Sequence, residues 1–513
     1  MKTIRAFDRG AFLAAALFLT LVFSLLSSAN ETPRTAGAPI AAEITRHVQT
    51  LAADDMMGRG VDTPGIDLAR DYIAAQFKKY GLAPGGTAGY FQRLEVTTGI
   101  ETAGRNEAQL GASELALGRD WSPLGLSASA TAEGEVVFAG YGITAENYAY
   151  DDYAGIDAKG KIVLVLRYEP PPKDDKSAFG RWPRSSRYAT LSAKTANARA
   201  HGAAGLILVD LSSEHDELMS LARGMGREQD DLVAAQIRRE TVQTALRGTG
   251  VSLSELKAAI DRDEKPRSTA VAGLKARLAA SLKKISRPTD NVVAVLAGSD
   301  PQLKGENIVI GAHYDHLGLG HYGTMDPKAE GQIHHGADDN ASGVAVMLSV
   351  AQRFTAGKPP PRTLVFVAFT GEELGLYGSR YFVDHPPFPL TATKAMINLD
   401  MVGRMRDNRL MVNTADTAKE FRAMIGRAAD GLDVDMKATG GGSDHTSFYN
   451  KGVPALHFYT GMHEDYHRPT DDWEKLNIGG MVKVSDAVFA LTTDLAASRE
   501  PLAFVKPPSR RGG

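Results

Sequence analysis

The sequence contains no cysteine in its 513 residues. This absence excludes disulfide bonds, thiolate metal ligands, a cysteine nucleophile and a lipid on an N-terminal cysteine. The chain also lacks an excess of either charge, since 58 Lys and Arg face 61 Asp and Glu for a formal charge of -3. Without a strongly basic surface, a nucleic-acid partner is not expected. Any chemistry must come from histidine, carboxylate or serine side chains.

The N-terminal apolar run is too short for an ordinary membrane span. It extends from Ala11 to Leu26, behind a basic stretch, and ends in small residues up to Ala29. A membrane-spanning helix needs roughly 20 apolar residues. The pattern predicts a signal peptide over residues 1–29, and hence a periplasmic or secreted protein. An uncleaved membrane anchor is the alternative, and no other membrane contact is expected.

The length predicts two globular units or one domain with a large insertion. We expect residues 30–120 and 289–500 to form one discontinuous domain, residues 121–288 a β-rich α/β insert, and residues 501–513 a tail. In the second half, short apolar strands alternate with helices. This alternation predicts an α/β fold with a mostly parallel-stranded mixed sheet between helices. The segment from Ala41 to Tyr80 is predicted to be helical. No pattern predicts an oligomeric state.

Several predicted strands of the second half run directly into acidic or imidazole side chains. One ends in His313 and Asp315, a second precedes Glu372 and Glu373, and a third carries Asp400. Ligands of open parallel sheets gather at the carboxyl ends of the strands. We therefore expect these side chains to meet at one edge of the sheet.

Histidine and carboxylate ligands without cysteine suit a divalent cation, and zinc is expected for an exported hydrolase. Several carboxylates beside two or more imidazoles exceed what one zinc needs. A pair of metals requires a bridging carboxylate, and either Asp338 or Asp339 in the stretch HHGADDN can provide it. A helix is predicted to start at this turn, with Asn340 or Ser342 as its cap.

The remaining histidines in this part of the sequence differ in what their surroundings predict. His316, His321, His334 and His335 are interpreted as ordinary loop residues. The stretch HEDYH, His463 to His467, matches the H-E-x-x-H pattern of helical zinc proteases. Gly461 precedes it and Pro469 follows, so a helix is not expected there. His467 is better interpreted as a single ligand on a loop.

Together these stretches resemble the co-catalytic di-zinc aminopeptidases of metallopeptidase family 28 that carry a protease-associated domain. The matching stretches are GAHYDHLG, HHGADDNASGVA, FVAFTGEELGLYGS, INLDMVGR, SDHTSF and DYHRPTDD, in the order of the family. LAADDMMGRG and LARDYIAAQFKKYGL near the start resemble the family as well. The resemblance implies a zinc exopeptidase fold, and it identifies the insert as a protease-associated domain that borders the cleft.

The resemblance also implies a role for each matching residue. The implied ligands of two Zn²⁺ ions are His313 and Asp400 for one, Glu373 and His467 for the other, and Asp339 for both. The bond from Asp339 to Asn340 would be a cis peptide. Glu372 would be the general base, with Asp315 behind His313.

The reaction that these residues predict is hydrolysis of the N-terminal residue of a peptide with a free amino terminus. A metal-activated water would attack while Glu372 moves its proton. Ser443, Asp444, Phe448 and Tyr459 are candidates for the substrate pocket. Ser443, Asp444 and His445 are not interpreted as a serine triad, because no nucleophile elbow is present. The alternatives are a carboxypeptidase or other amidohydrolase on the same scaffold, and a non-catalytic binding or receptor module.

Overall fold

The computed structural model describes residues 38–174, 176–180, 186–212, 216–221, 231–436, 442–500 and 502–506. The predicted signal peptide and most of the predicted tail lie outside the described residues. No helix within the described ranges is both long and apolar enough to cross a membrane.

The described residues form ten α-helices and nineteen strands. The helices are α1 Ala38–Leu51, α2 Gly65–Lys79, α3 Leu191–Ala200, α4 Arg239–Ala245, α5 Leu253–Asp263, α6 Gly343–Ala356, α7 Tyr377–Asp384, α8 Phe421–Ala428, α9 His445–Asn450 and α10 Ile478–Ala497. The strands up to the insert's end are β1 Ala83–Pro84, β2 Phe91–Thr102, β3 Glu107–Leu110, β4 Ser113–Leu115, β5 Trp121–Pro123, β6 Thr131–Phe138, β7 Thr144–Ala145, β8 Tyr150–Asp151, β9 Ile162–Leu166, β10 Gly205–Val209, β11 Val233–Ile237 and β12 Thr269–Ala279. The remaining strands are β13 Leu282–Leu296, β14 Asn307–His313, β15 Thr363–Phe369, β16 Thr393–Leu399, β17 Arg409–Asn413, β18 Asp433–Asp435 and β19 Ala455–Tyr459.

The larger sheet has nine strands in the order β1-β13-β15-β14-β16-β19-β17-β18, with β2 paired to β13. Its centre is parallel, from β15 through β14 and β16 to β19, and β13 and β17 flank this centre in antiparallel pairs. The outermost pair, β17 with β18, is again parallel. Strand β14 is buried along its whole length, because helices cover both faces of the sheet. Ile308 and Ile310 pack towards α1, α6 and α10, whereas Val309 packs towards α7 and α9. The predicted α/β class with a mostly parallel mixed sheet is confirmed.

A second sheet of eight strands forms a separate lobe, in the order β4-β3-β12-β6-β9-β10-β11-β5. Strands β6, β9, β10 and β11 are parallel, and the others are antiparallel. This lobe is the expected β-rich α/β insert. Its sheet extends from Glu107 to Ala279, so it starts before the expected boundary at residue 121 and ends before residue 288. The short strands β3 and β4 carry too few apolar residues to be recognised from their pattern.

A two-stranded antiparallel ribbon joins the lobe to the larger sheet. Strand β2 leads into the lobe and strand β13 leads back, paired from Phe91 with Val292 to Thr102 with Leu282. The ribbon has a register shift between Ile285 and Ser286. Both crossings of the chain between the two sheets therefore lie side by side.

The predicted helix from Ala41 to Tyr80 is interrupted. Helices α1 and α2 are separated by the 3₁₀ segment Asp54–Arg59, in which Met57 and Gly58 have left-handed dihedral angles. The apolar residues on either side of this segment have helical spacing, so the sequence pattern did not predict the break. The contacts of this segment with the edge of the larger sheet explain its conformation, as described below.

Candidate metal centre

The acidic and imidazole side chains that follow different strands meet at the carboxyl edge of the larger sheet. His313 ends β14, Glu372 and Glu373 follow β15, and Asp400 follows β16. Asp339 lies in the turn before α6, and its peptide bond to Asn340 is cis. His467 comes from the loop after β19. Residues separated by more than 150 positions thus form one cluster, because parallel strands end at the same edge.

The carboxylate of Asp339 lies at the centre of this cluster. Its Oδ1 is 3.3 Å from His313 Nε2, and that nitrogen is 3.4 Å from Asp400 Oδ1. Its Oδ2 is 3.3 Å from His467 Nε2, which is 3.1 Å from Glu373 Oε2. The two oxygens of one carboxylate therefore face two separate sets, each of one imidazole and one further carboxylate.

The tautomers of the two histidines follow from their other ring nitrogens. His313 Nδ1 is 3.1 Å from the main-chain oxygen of Asp315, and His467 Nδ1 is 2.8 Å from that of Gly323. A carbonyl oxygen only accepts, so each Nδ1 donates its hydrogen and each Nε2 presents a lone pair in the neutral ring. Both Nε2 atoms are buried and have no hydrogen-bond partner among the described residues.

A neutral imidazole whose lone pair faces carboxylate oxygens at 3.1–3.4 Å is repelled by them, and a cation between the groups removes this repulsion. Nitrogen and oxygen donors with no sulfur fit zinc. The set His313, Asp339 and Asp400 meets the distance requirement for one ion. These residues therefore fit a metal centre, and the double-sided position of Asp339 fits two ions.

Asp315 is buried beneath the cluster and holds the two glutamates through their main chain. Its Oδ1 accepts the N–H of Glu372 at 3.1 Å, and its Oδ2 accepts that of Glu373 at 3.3 Å. Its carboxylate is 3.8 Å from His313 Nδ1, farther than its own main-chain oxygen. Burial raises the pKa of Asp315 to about 7. The Asp315 carboxylate therefore contacts the main chain of the two glutamates more closely than it contacts the His313 imidazole. The sequence had implied the imidazole as its partner.

Glu372 faces the cavity beside the cluster without taking part in the contacts around Asp339. Its pKa lies well above the ordinary value, first because the carboxyl is removed from bulk water and then because Glu373 and Asp400 repel its charge. His313 opposes the shift. A carboxyl with a raised pKa beside the cluster is suited to accept and release a proton.

The interpretation of His316 as an ordinary loop residue is wrong. His316 is buried, and its Nδ1 lies 2.7 Å from Glu373 Oε1. With Asp339 and Glu373 it forms a further group within metal-binding distance. His316 directly follows Asp315 and lies three residues after His313 in the sequence, but this spacing did not reveal that the chain turns back after β14.

Asp338 has a structural role that the sequence did not reveal. Its Oδ1 accepts the N–H of Gly403 at 2.6 Å and the hydroxyl of Ser342 at 3.0 Å, and its Oδ2 is 3.2 Å from His463 Nε2. Asp338 therefore joins the turn before α6 to the loop after β16. The N–H groups of Asp338 and Asp339 in turn donate to Asp471 at 2.9 and 3.1 Å.

The other histidines of this region also take part in specific contacts. His334 is buried, with Nε2 2.9 Å from the hydroxyl of Thr324. His335 lies at the surface and pairs with Asp54 and Asp472 at 2.8 and 3.0 Å. Neither histidine touches the cluster around Asp339.

A cavity of about 770 Å³ opens beside the metal centre. Its walls include Ser443 and Tyr459, together with methionines 401, 411 and 462. All of its lining residues lie between Asp339 and Tyr466, so within the described ranges the inserted lobe does not border it. The volume is near the upper part of the range of roughly 300–1,000 Å³ for small-ligand sites.

Two of the candidate pocket residues do not line this cavity. Phe448 is fully buried and packs against Phe369 and Phe382 at ring distances of 6.1 and 5.8 Å. The interpretation of Phe448 as a pocket wall is therefore wrong, because α9 turns this ring into the core. Asp444 is buried beside the centre with no hydrogen-bond partner for its carboxyl among the described residues, and burial raises its pKa to about 7.

Comparison with protein families identifies both parts of the chain. Residues 291–492 match peptidase family M28, and residues 132–245 match the PA domain. The second half of the chain therefore matches the family M28 peptidases, and a segment of the inserted lobe matches the PA domain. The resemblance that the sequence motifs suggested is confirmed.

Individual relatives agree with this assignment. Aminopeptidase YwaD of Bacillus subtilis is 35% identical over 167 residues, which are 30% of this chain and 36% of that protein. Leupeptin-inactivating enzyme 1 of Streptomyces exfoliatus is 30% identical over 192 residues, 36% of this chain and 38% of that protein. The matched part thus spans little more than a third of these curated relatives.

Solved structures show the same fold over nearly the whole described chain. An aminopeptidase from Aneurinibacillus sp. strain AM-1 superposes with a TM-score of 0.55 at 23% identity, covering 91% of this chain and 96% of that one. BSAP, a zinc aminopeptidase from Bacillus subtilis, gives 0.52 at 20% identity, covering 91% and 98%.

Proposed function

We propose that the protein is a zinc-dependent aminopeptidase with two Zn²⁺ ions. The observation that carries this proposal is the position of Asp339, whose two oxygens each lie 3.3 Å from Nε2 of a different histidine. His313 and Asp400 would hold one ion, Glu373 and His467 the other, and Asp339 both. The family M28 match and the aminopeptidase names of the relatives support the same activity.

When bound, zinc would supply a water of lowered pKa and would polarise the scissile carbonyl group. Glu372 would take the proton of the attacking water at its carboxylate and donate it to the nitrogen of the leaving amine. Asp315 keeps Glu372 in place through the main-chain bond of 3.1 Å. Because burial and the neighbouring carboxylates raise the pKa of Glu372, it binds a proton more readily than an exposed carboxyl, and the same group can serve first as base and then as acid.

The substrate would be a peptide with a free amino terminus. The acidic residues at the inner end of the cavity, Glu372, Glu373 and Asp400, attract an ammonium group. The methionines and Tyr459 offer an apolar wall for its first side chain. Ser443, whose hydroxyl accepts the amide N–H of Asn398 at 2.7 Å, is held in a fixed position at this wall.

The decisive experiment compares free and N-acetylated copies of the same peptides, with and without a chelator. An aminopeptidase releases N-terminal residues from the free peptides only, loses activity with the chelator, and regains it when zinc is added. Equal cleavage of both sets would instead identify a carboxypeptidase or another amidohydrolase. No turnover with two equivalents of zinc bound would identify a binding module.

Export is a separate part of the proposal, and it is supported by the apolar run from Ala11 to Leu26. Expression in a bacterial host, followed by separation of periplasm, medium, membrane and cytoplasm, tests it. Recovery of a chain that begins after Ala29 from the periplasm or the medium is expected. Recovery of the intact chain in the membrane fraction would support the uncleaved anchor.

A further inference from the structure

Arg59 lies outside the segment that matches the peptidase family, yet it is buried directly behind the metal centre. Its side chain is completely shielded from solvent. Its guanidinium donates four hydrogen bonds, all to main-chain oxygens: Leu51 at 2.6 Å, Tyr314 at 2.8 Å, His335 at 2.7 Å and Gly336 at 2.8 Å. A planar group with five N–H donors is suited to fix several segments at once.

Three of the four acceptors of Arg59 belong to the segments that carry metal ligands, and the fourth, Leu51, ends helix α1. Tyr314 lies between His313 and Asp315, at the end of β14. His335 and Gly336 precede Asp339 in the turn before α6. One guanidinium therefore sets the distance between the segment of His313 and the segment of Asp339.

The main chain around Arg59 continues the same connection. The N–H of His316 donates to Arg59 O at 3.2 Å, and the N–H of Gly318 donates to Gly58 O at 3.1 Å. At Gly58 a side chain is impossible, because a Cβ would lie 2.4 Å from His334 O and 2.6 Å from Gly318 O. The 3₁₀ segment is thus in direct contact with the loop that carries His316.

The backbone conformation of this segment is unfavourable on its own. Met57, Gly58 and Arg59 have φ of 45°, 62° and 49°, and two of these residues are not glycine. Such conformations persist where surrounding contacts impose them, and they cluster at functional sites. Here the imposing contacts are the bonds of Arg59 to the two ligand segments.

The charge of Arg59 also suits the centre. Burial lowers its pKa to about 10, while the carboxylates of Asp339, Asp315 and Glu373 act in the opposite direction. The guanidinium therefore stays protonated at neutral pH, close to a group of carboxylates but bonded to none of them. It offsets their mutual repulsion without occupying the oxygen atoms that a metal would need.

We propose that Arg59 is a positioning residue for the metal centre: it holds the segments of His313 and Asp339 at metal-binding distance. This inference rests on the zinc site of the proposed function. Replacement of Arg59 should therefore lower metal affinity and alter ligand geometry. Residues that orient metal ligands typically change metal affinity by about 10- to 100-fold when they are mutated.

The test compares Arg59→Lys with a matched control, Arg362→Lys. Arg362 is also buried, and it bonds the main-chain oxygens of Leu495, at 2.9 Å, and of Ser498, but it precedes β15 at the opposite edge of the sheet. Zinc affinity is measured by competition with a chromogenic chelator, and ligand geometry by the absorption spectrum of the Co²⁺-loaded protein. Thermal unfolding of the metal-free proteins reports the structural cost of each change.

We expect Arg59→Lys to bind zinc at least tenfold more weakly and to change the Co²⁺ spectrum. Arg362→Lys should lower the unfolding temperature but keep the affinity and spectrum of the unchanged protein. Unchanged affinity and spectrum in Arg59→Lys would overturn the proposal, and so would equal losses of affinity in both variants. A parent protein that binds no zinc would instead refute the proposed function.

Hydrogen exchange of the parent protein tests the same idea without a variant, should Arg59→Lys fail to fold. Zinc should slow exchange in peptides with the N–H groups of His316 and Gly318, which bond the 3₁₀ segment. Peptides around Thr363, whose N–H bonds Glu306 O at 3.1 Å, serve as the reference. If zinc leaves exchange at His316 and Gly318 unchanged, the segment is independent of the metal centre and the proposal fails.

Discussion

Two buried aspartates, one in each sheet region, share their burial and their main-chain contacts but differ in what they support. Asp315 lies under the metal centre and Asp152 in the inserted lobe. Burial raises the pKa of each to about 7, and each accepts two main-chain N–H groups. Burial and a shifted pKa therefore do not distinguish a functional carboxylate from a structural one.

The difference lies in the neighbouring atoms. Around Asp152 the polar groups satisfy one another: Tyr150 donates its hydroxyl at 3.0 Å, and buried Lys194 donates to the main-chain oxygens of Tyr141 and Tyr168. Next to Asp315, the Nε2 atoms of His313 and His467 are buried without a hydrogen-bond partner in the described part of the chain. Unfilled ligand atoms, not buried charge, mark the site that needs a cation.

The largest expected effect belongs to the proposed base. Glu372→Gln removes proton transfer but leaves the ligand atoms in place, so kcat should fall by about 10²–10⁴-fold with two zinc ions still bound. Steady-state kinetics and metal analysis of the purified variant check this prediction. A variant that keeps more than a tenth of the parent's kcat would remove Glu372 from the reaction.

In the lobe, removing the buried cation beside Asp152 should lower the free energy of unfolding and leave kcat unchanged. Lys194→Met leaves two buried carbonyl oxygens and Asp152 without their cation, which should cost roughly 3 kcal/mol of unfolding free energy. Burial lowers the pKa of Lys194 to about 7. Lys161→Met, which removes an ion pair with the exposed Asp157 at 3.7 Å, should cost less than about 1 kcal/mol. Denaturant titration measures both, and a changed kcat in Lys194→Met would contradict the separation of the two clusters.

Zinc itself should stabilise only one of the two regions. At a free concentration 100 times its Kd, each bound zinc ion would add about 2.7 kcal/mol to the unfolding free energy of the peptidase region. Hydrogen exchange resolved by peptide can follow both regions in one sample. Equal protection of the lobe's strands β9 and β10 would show that the two regions unfold as one unit.

Replacing each of the two aspartates by asparagine should have the smallest of these effects. Asp315→Asn keeps the volume but replaces one acceptor oxygen by an N–H donor that faces the main chain of the glutamates. Zinc affinity should fall by about 10- to 100-fold. Asp152→Asn makes the same exchange in the lobe, so it should lower the unfolding temperature and leave zinc affinity within twofold. A drop in zinc affinity for Asp152→Asn would show that the carboxylate in the lobe also acts on the metal centre.

The ligand cluster could be predicted because its members follow strands of one parallel sheet. The apolar runs before His313, Glu373 and Asp400 predicted strands, and parallel strands end together. Asp339 was less certain, since spacing alone admitted Asp338 as well. Their different contacts arise in the irregular turn before α6, where Asp339 has φ of -109° and ψ of 90° and helical periodicity does not apply.

The contacts of Arg59 and the buried position of Phe448 could not be predicted from the sequence. Arg59 sits between two helical patterns, and its acceptors are main-chain oxygens up to 277 positions away, which no side-chain pattern can indicate. Phe448 lies on the six-residue helix α9, which is too short for its periodicity to reveal the buried face. Both depend on how distant segments meet in space.

In the part of the chain that the structure describes, the ribbon of β2 and β13 carries both crossings between the lobe and the larger sheet. Thr102 and Leu282 are directly opposite in the ribbon, so a two-residue turn such as Asn-Gly could join them without altering the pairing below. Everything between them could then be deleted, exchanged or inserted as one cassette, while the order of strands that assembles the metal ligands stays the same. A fold in which both chain crossings lie side by side can gain or lose an entire domain through a single insertion or deletion.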